Sequence, residues 1–274
     1  MQITDAFLDQ GEYFSVEYTK NKIFLHHTAG GNRPDWTIES WNTDRTHSGD
    51  IRKVATAFVI GGKSISNGNT AWDGIIFRAF PEKCWAVHLN GSELYTLDKT
   101  SIAIELCNYG PLIRNSNGDY YNYVNKKVPA TDVVTLDSEF RDYVYYHKYT
   151  NAQLDSLREL LLDLAKKYSI NLKLGLQEWL KKESLLLPGN LTLLETQKWL
   201  NNNGFTGADG EALVEDGIIG QNTKWAMESV NKPAFEYNAQ CIKGHEGIWT
   251  HANVRKDKTD CSPQPELIDL IKSL

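Results

Sequence analysis

The sequence predicts an α/β fold carrying a small all-helical insert. Three observations lead there. Short apolar runs rich in β-branched residues stop abruptly at polar residues, glycine or proline. The stretches between them are long enough to hold helices. Late in the chain, the breaker Pro188-Gly189-Asn190 precedes two short helical patterns of their own.

The first strand is read in Lys22-Ile23-Phe24-Leu25-His26-His27, within a run that ends at Gly30. The second runs from Val54 to Ile60 and stops at Gly61-Gly62. The third, Gly74 to Phe80, is halted by Pro81, and the fourth spans Ser101 to Cys107. Pro34-Asp35-Trp36 opens a helix that reaches toward His47. Residues 110–148 read as a long surface excursion with a turn cluster at Asn115–Asp119. The clearest helix follows: Thr150 is its N-cap, and Leu154, Leu157, Leu160, Leu161 and Leu164 share one face. Helices over Leu193–Leu200 and through Trp225 to Val230 flank Asp216-Gly217-Ile218-Ile219-Gly220, where the glycines set a tight turn that Thr223 can cap. The expected domains are 1–185 joined with 234–274, and an insert at 186–233.

The 274 residues carry 35 acidic and 29 basic side chains, a net charge of -6 that argues against a nucleic-acid binder. No apolar run approaches the ~18–20 residues of a membrane span. The N-terminus shows no basic region followed by an apolar one, so no secretory signal is expected. Four irregularly spaced cysteines do not make a disulfide framework.

Seven histidines are present, and most histidines are surface or satisfied core residues. Position distinguishes some of them. His26-His27 sits where an apolar strand ends, and His251 and Cys261 flank a polar loop able to curl around an ion. Two imidazoles and a thiolate form a reasonable three-ligand zinc set with a fourth position open. The spacing alone does not decide it, since a small buried hydrophobe is the plain alternative for Cys261.

Together these segments resemble the zinc-dependent N-acetylmuramoyl-L-alanine amidases. The resemblance rests on Phe24–Gly30, Ala57–Gly61, Asp73–Ile76, Trp85–Gly91, Ser101–Leu106 and Gly247–His251 with Lys258–Pro263, in that order. It implies a central mixed β-sheet flanked by helices, a zinc cofactor and peptidoglycan as substrate, contacted through glycan strand and stem peptide. It places the metal on His26, His251 and Cys261, with an aspartate as third ligand in some members, and turns His27 the other way along the strand. Glu105 takes the place of the glutamate that activates water. The family keeps a lysine or threonine two residues before the third ligand to stabilise the oxyanion; that place falls to Thr259, with Lys258 beside it. His88 matches a histidine at the cleft rim that contacts substrate, and Trp72 or Trp85 could stack on sugar or peptide, Trp85 being read rather as core. Where some relatives carry a second base, Thr56-Ala57 stands here, leaving the base role to Glu105 alone.

The insert resembles a three-helix peptidoglycan-binding module, through Leu194, Gln197, Leu200, Gly204-Phe205, Asp216–Gly220, Thr223 and Ala226; a spacer packed on the catalytic domain is the alternative. The expected activity is hydrolysis of the amide between N-acetylmuramic acid and L-alanine, by a monomer made in the cytoplasm and acting on the wall after release, as an endolysin does. The rivals are a binding-only peptidoglycan receptor, a delivered cell-wall toxin with the same chemistry, and a cysteine hydrolase using Cys261 and His251.

Overall fold

The apolar runs form the centre of a six-stranded mixed sheet in the computed structural model, which describes residues 2–274. In spatial order the strands are β1 (Ile3–Asp5), β4 (Ile76–Arg78), β3 (Phe58–Ile60), β5 (Ser101–Leu106), β2 (Lys22–His27) and β11 (Gly247–Thr250). Only β3 and β4 pair antiparallel; β5, β2 and β11 run parallel side by side. Ile23, Phe24 and Leu25 are fully buried, as expected of a parallel strand covered on both faces. Helices flank this sheet: α1 (Pro34–Thr43), α2 (Tyr95–Thr100), α3 (Asn151–Tyr168), α4 (Leu176–Lys182) and α8 (Pro265–Lys272). Thr150 caps α3 through a capping box with Gln153, and the leucines predicted to share a face are buried. Among the described residues no helix is long and apolar enough to cross a membrane.

Two glycines allow β11 to sit beside β2. Gly175 (φ 70°) and Gly247 (φ 110°) lie where the lead into α4 crosses the start of β11. A Cβ on Gly247 would fall 2.3 Å from the Leu174 carbonyl oxygen, and one on Gly175 would fall 2.4 Å from that of Ile248.

The expected second strand is shorter than read, because Val54–Ala57 approaches Val87 by an isolated bridge instead of joining the sheet. The larger departure is at 110–148. The supposed excursion is an antiparallel sheet of β6 (Pro111–Arg114), β7 (Tyr120–Tyr121), β8 (Lys127–Val128), β9 (Val133–Phe140) and β10 (Tyr143–His147), in the order β8-β7-β6-β10-β9. Its own apolar cluster contains Ile65, Leu112 and Val128.

Residues 186–233 leave the main core after α4 and hold α5 (Leu193–Asn202) and α6 (Gln221–Glu228). A separate small core joins Leu200, Phe205, Leu213 and Ala226. Thr223 does not cap α6: Gly220 holds that position without a side-chain bond. The turn is organised by buried Gln197, whose amide oxygen accepts from the backbone of Asp216 and Gly217 and whose nitrogen donates to Asp216, Ile218 and Thr223. Lys182 of α4 donates to the Gly204 carbonyl (2.7 Å) and ties the segment to the main core. The chain then passes α7 (Ala239–Ile242) and returns to β11.

Candidate metal centre

The site lies at the carboxyl ends of parallel strands, where open α/β sheets usually bind ligands. His26 is near the end of β2, Glu105 is its register partner on β5, and His251 follows β11 directly. Parallel register partners project to the same face, so the glutamate and the two imidazoles line one cleft of about 460 Å³. Asp260 completes the group. Its backbone oxygen accepts from the Ala252 amide (2.9 Å), which fastens the 254–260 loop to the turn carrying His251.

The Asp260 Oδ2 lies 3.0 Å from His26 Nδ1 and 3.1 Å from His251 Nδ1, all three side chains being buried. One donor atom from each lies within 4.8 Å of the others, a grouping able to hold a metal ion. Burial alone would push the Asp260 carboxyl up, but the His251 and His26 rings outweigh it and hold it well below the usual carboxylate range. Burial holds His26 below the ordinary imidazole range, with the bond to Asp260 opposing it.

The outer nitrogens explain why a cation fits. The Leu89 carbonyl, 3.3 Å from His251 Nε2, can only accept, so that nitrogen carries the proton and a neutral ring leaves Nδ1 to ligate. Ser101 Oγ donates to the Leu97 carbonyl (2.7 Å) and so accepts from His88 Nε2 (2.8 Å). His88 Nδ1 then accepts from His26 Nε2 (3.1 Å), and a neutral His26 ring leaves its Nδ1 to ligate as well. With both rings neutral, two imidazole lone pairs converge on one carboxylate oxygen, an arrangement that a cation relieves: a proton in the hydrogen bonds to Asp260, or a metal ion in their place. Tetrahedral zinc bonds of ~2.0–2.1 Å set donor atoms ~3.3 Å apart, close to the separations from Asp260. The donor set fits zinc, and its outer hydrogen bonds are of the kind that orient ligating histidines.

One carboxylate stands behind both imidazoles. Buried Asp98 accepts through Oδ1 from the backbone amides of His88 (3.1 Å) and Leu89 (3.0 Å), the two residues that hold the outer nitrogens. Burial raises the Asp98 carboxyl to about 7 against those two bonds. Asp98→Ala is expected to weaken zinc affinity about 10–100-fold, as losing an outer-shell partner commonly does. Asp98→Asn keeps an acceptor oxygen and should retain most of the affinity. Competition with a chromophoric chelator measures both.

Cys261 does not join the cluster; Asp260 stands where the third ligand was expected. Of the two adjacent residues the aspartate takes the cleft side. Cys261 is fully buried on the other side, against the Tyr149 hydroxyl, which also meets His27 Nδ1 (2.9 Å) and the Ser262 amide (3.2 Å). Burial, reinforced by the Asp260 charge, pushes the Cys261 thiol well above its ordinary value. With Asp260 as third ligand, the residue two before it is Lys258, not Thr259; both line the cleft. That Lys-x-Asp spacing is the signal in the sequence that points to Asp260.

Glu105 is buried beside the cluster, and burial with the Asp260 charge raises its carboxyl well above the ordinary range while Lys258 opposes the shift. His88 lines the cleft but is buried beside His26, and its hydrogen bond holds that ring in place. Trp72 packs against Phe77 (5.9 Å between ring centres) and does not line the cleft; the tryptophan that does is Trp41, which nothing in the sequence singles out. Trp85 is core, stacked on Phe14 at 3.9 Å. Thr56 borders the cleft with its hydroxyl donated to the Phe58 carbonyl.

A model of the N-acetylmuramoyl-L-alanine amidase family matches residues 17–176. No curated protein matches the chain. Among solved structures, the N-acetylmuramyl-L-alanine amidase AmiD from E. coli, in complex with anhydro-N-acetylmuramic acid-L-Ala-D-gamma-Glu-L-Lys, is similar over 95% of this chain and 90% of its own, at 14% identity and a TM-score of 0.36. A mutant endolysin from Bacillus subtilis is 15% identical over 62% of this chain and 79% of that one, with a TM-score of 0.37. The N-acetylmuramoyl-L-alanine amidase LysC from Clostridium intestinale is 17% identical over 62% and 78%, with a TM-score of 0.32.

Proposed function

The chain belongs to the N-acetylmuramoyl-L-alanine amidase family, and from that membership we propose a zinc-dependent cut at the amide joining the lactyl group of N-acetylmuramic acid to L-alanine of the stem peptide. The observation that supports the metal most strongly is the buried grouping of the His26 and His251 Nδ1 atoms around Asp260 Oδ2. When bound, zinc supplies a Lewis acid that polarises an amide carbonyl and acidifies a water molecule.

The protein's own groups supply the rest. His88 and the Leu89 carbonyl keep the protons of His26 and His251 on Nε2, so that both Nδ1 atoms remain ligands. Glu105, beside His26 in register, takes the proton of the attacking water and returns it to the leaving amine. Lys258 donates to the oxyanion from the loop that carries Asp260. A binding-only receptor has no use for a buried, proton-accepting Glu105, which favours catalysis.

Mass spectrometry of digested peptidoglycan tests this reading. The expected products are intact glycan strands and free peptides beginning with L-alanine. Cuts inside the glycan or the peptide would refute it.

We read 186–233 as a wall-binding module, a combination that suits an endolysin released at lysis. Its turn exposes apolar side chains, Ile218 by 67% and Ile219 by 51%, beside Leu194. Replacing both isoleucines with glutamate should weaken sacculus binding about 10-fold or more, if each buries its side chain on the wall. Turnover of a small soluble muropeptide should fall far less. Equal losses on both substrates would make the insert structural.

A further inference from the structure

A second groove opens from the metal cleft on the far side of Glu105. It has a volume of about 290 Å³ and shares Thr28, Ala29, Trp41 and Glu105 with the first. At its outer end stand Trp36 of α1 and Tyr123 of the β7–β8 turn, 65% and 66% exposed. Both are held in place. The Arg33 guanidinium, ion-paired with Asp35, covers one face of the Trp36 ring at 4.2 Å. The side-chain Oδ1 of buried Asn122 accepts from the backbone amides of Val124 and Lys126 and fixes the turn that presents Tyr123.

The two halves of the cleft differ in charge. The metal side carries Arg52, Asp44, Asp257 and Lys258. Apart from the shared Glu105 carboxyl, the second groove is lined by hydroxyls, glycines and aromatic rings, and its one cation among the described residues, Arg33, is already paired with Asp35. Stem peptides carry carboxylates and amines, whereas the sugar backbone is uncharged and has apolar ring faces that stack on aromatics. We infer that the Trp36–Tyr123 groove is a glycan subsite, taking the sugar next to the muramic acid that is cut, while the stem peptide lies toward Arg52 and Lys258. The inference rests on the amidase reading for its orientation, and it gives Tyr123, on the second sheet, a part in substrate selection.

The test titrates protein labelled at the tryptophan indoles with a peptide-free N-acetylglucosamine tetramer and, separately, with a free stem peptide. The Trp36 indole resonance, assigned by its absence from Trp36→Phe, reports this groove and not the insert. The tetramer is expected to shift it, and Tyr123→Ala to weaken that affinity about 3- to 10-fold, the range for one aromatic stacking contact. An indole unmoved by the tetramer, or moved by the stem peptide instead, would overturn the subsite, as would unchanged affinity in Tyr123→Ala. Failure of the amidase reading shows elsewhere, in the absence of L-alanine-terminated peptides from digested wall, because the titration needs no turnover.

Discussion

Asp260→Ala is expected to lose zinc at least ~100-fold more readily than the native protein, exceeding the effect of removing an outer-shell partner, and to lose amidase activity with it. The variant deletes the carboxylate on which both imidazole lone pairs converge and leaves two buried rings facing an empty corner. Asp260→Asn preserves shape and burial while removing the negative charge, so a similar loss there separates ligation from misfolding. Cys261→Ala should keep one zinc per chain and most of the activity, because the sulfur faces Tyr149 and not the cleft. Zinc content by elemental analysis and turnover of a soluble muropeptide read all three. A zinc-free Cys261→Ala beside a zinc-loaded Asp260→Ala would reverse the assignment.

Glu105→Gln carries the second large effect. The carboxylate lies outside the ligand set, so the variant should bind zinc normally and lose ~10²–10⁴-fold in kcat, the usual worth of a general base. The loss should fall on kcat more than on KM, since the proton is accepted only as the carbonyl is attacked. Thr56, at the position of an alternative base, has its hydroxyl committed to the Phe58 carbonyl and is not expected to compensate. Near-normal turnover in Glu105→Gln would move the base elsewhere.

Much of the site is legible in the amino-acid sequence because its residues sit at strand ends. His26 closes an apolar run, Glu105 interrupts one near its end, and parallel pairing then makes them neighbours. His251 is legible for the same reason at β11. The third ligand is not, because two adjacent residues both suit zinc and the choice depends on which side of one backbone segment faces the cleft. The second sheet escapes notice because β9 has only two buried positions, Leu136 and Phe140, among partly or fully exposed ones, too sparse for a period-two pattern. Tryptophan roles are equally opaque: Trp41 and Trp72 look alike in sequence, and only the packing of the β3–β4 connection turns Trp72 toward Phe77. His88 resembles a substrate contact but lies where the fold needs a partner for the outer nitrogen of His26.

X-ray absorption at the zinc edge of the loaded protein tests the central claim most directly, because it separates oxygen and nitrogen from sulfur in the coordination shell. The account predicts a shell of nitrogen and oxygen alone at ~2.0–2.2 Å, from His26, His251, Asp260 and solvent. A sulfur scatterer at ~2.3 Å would contradict it and return the third position to Cys261.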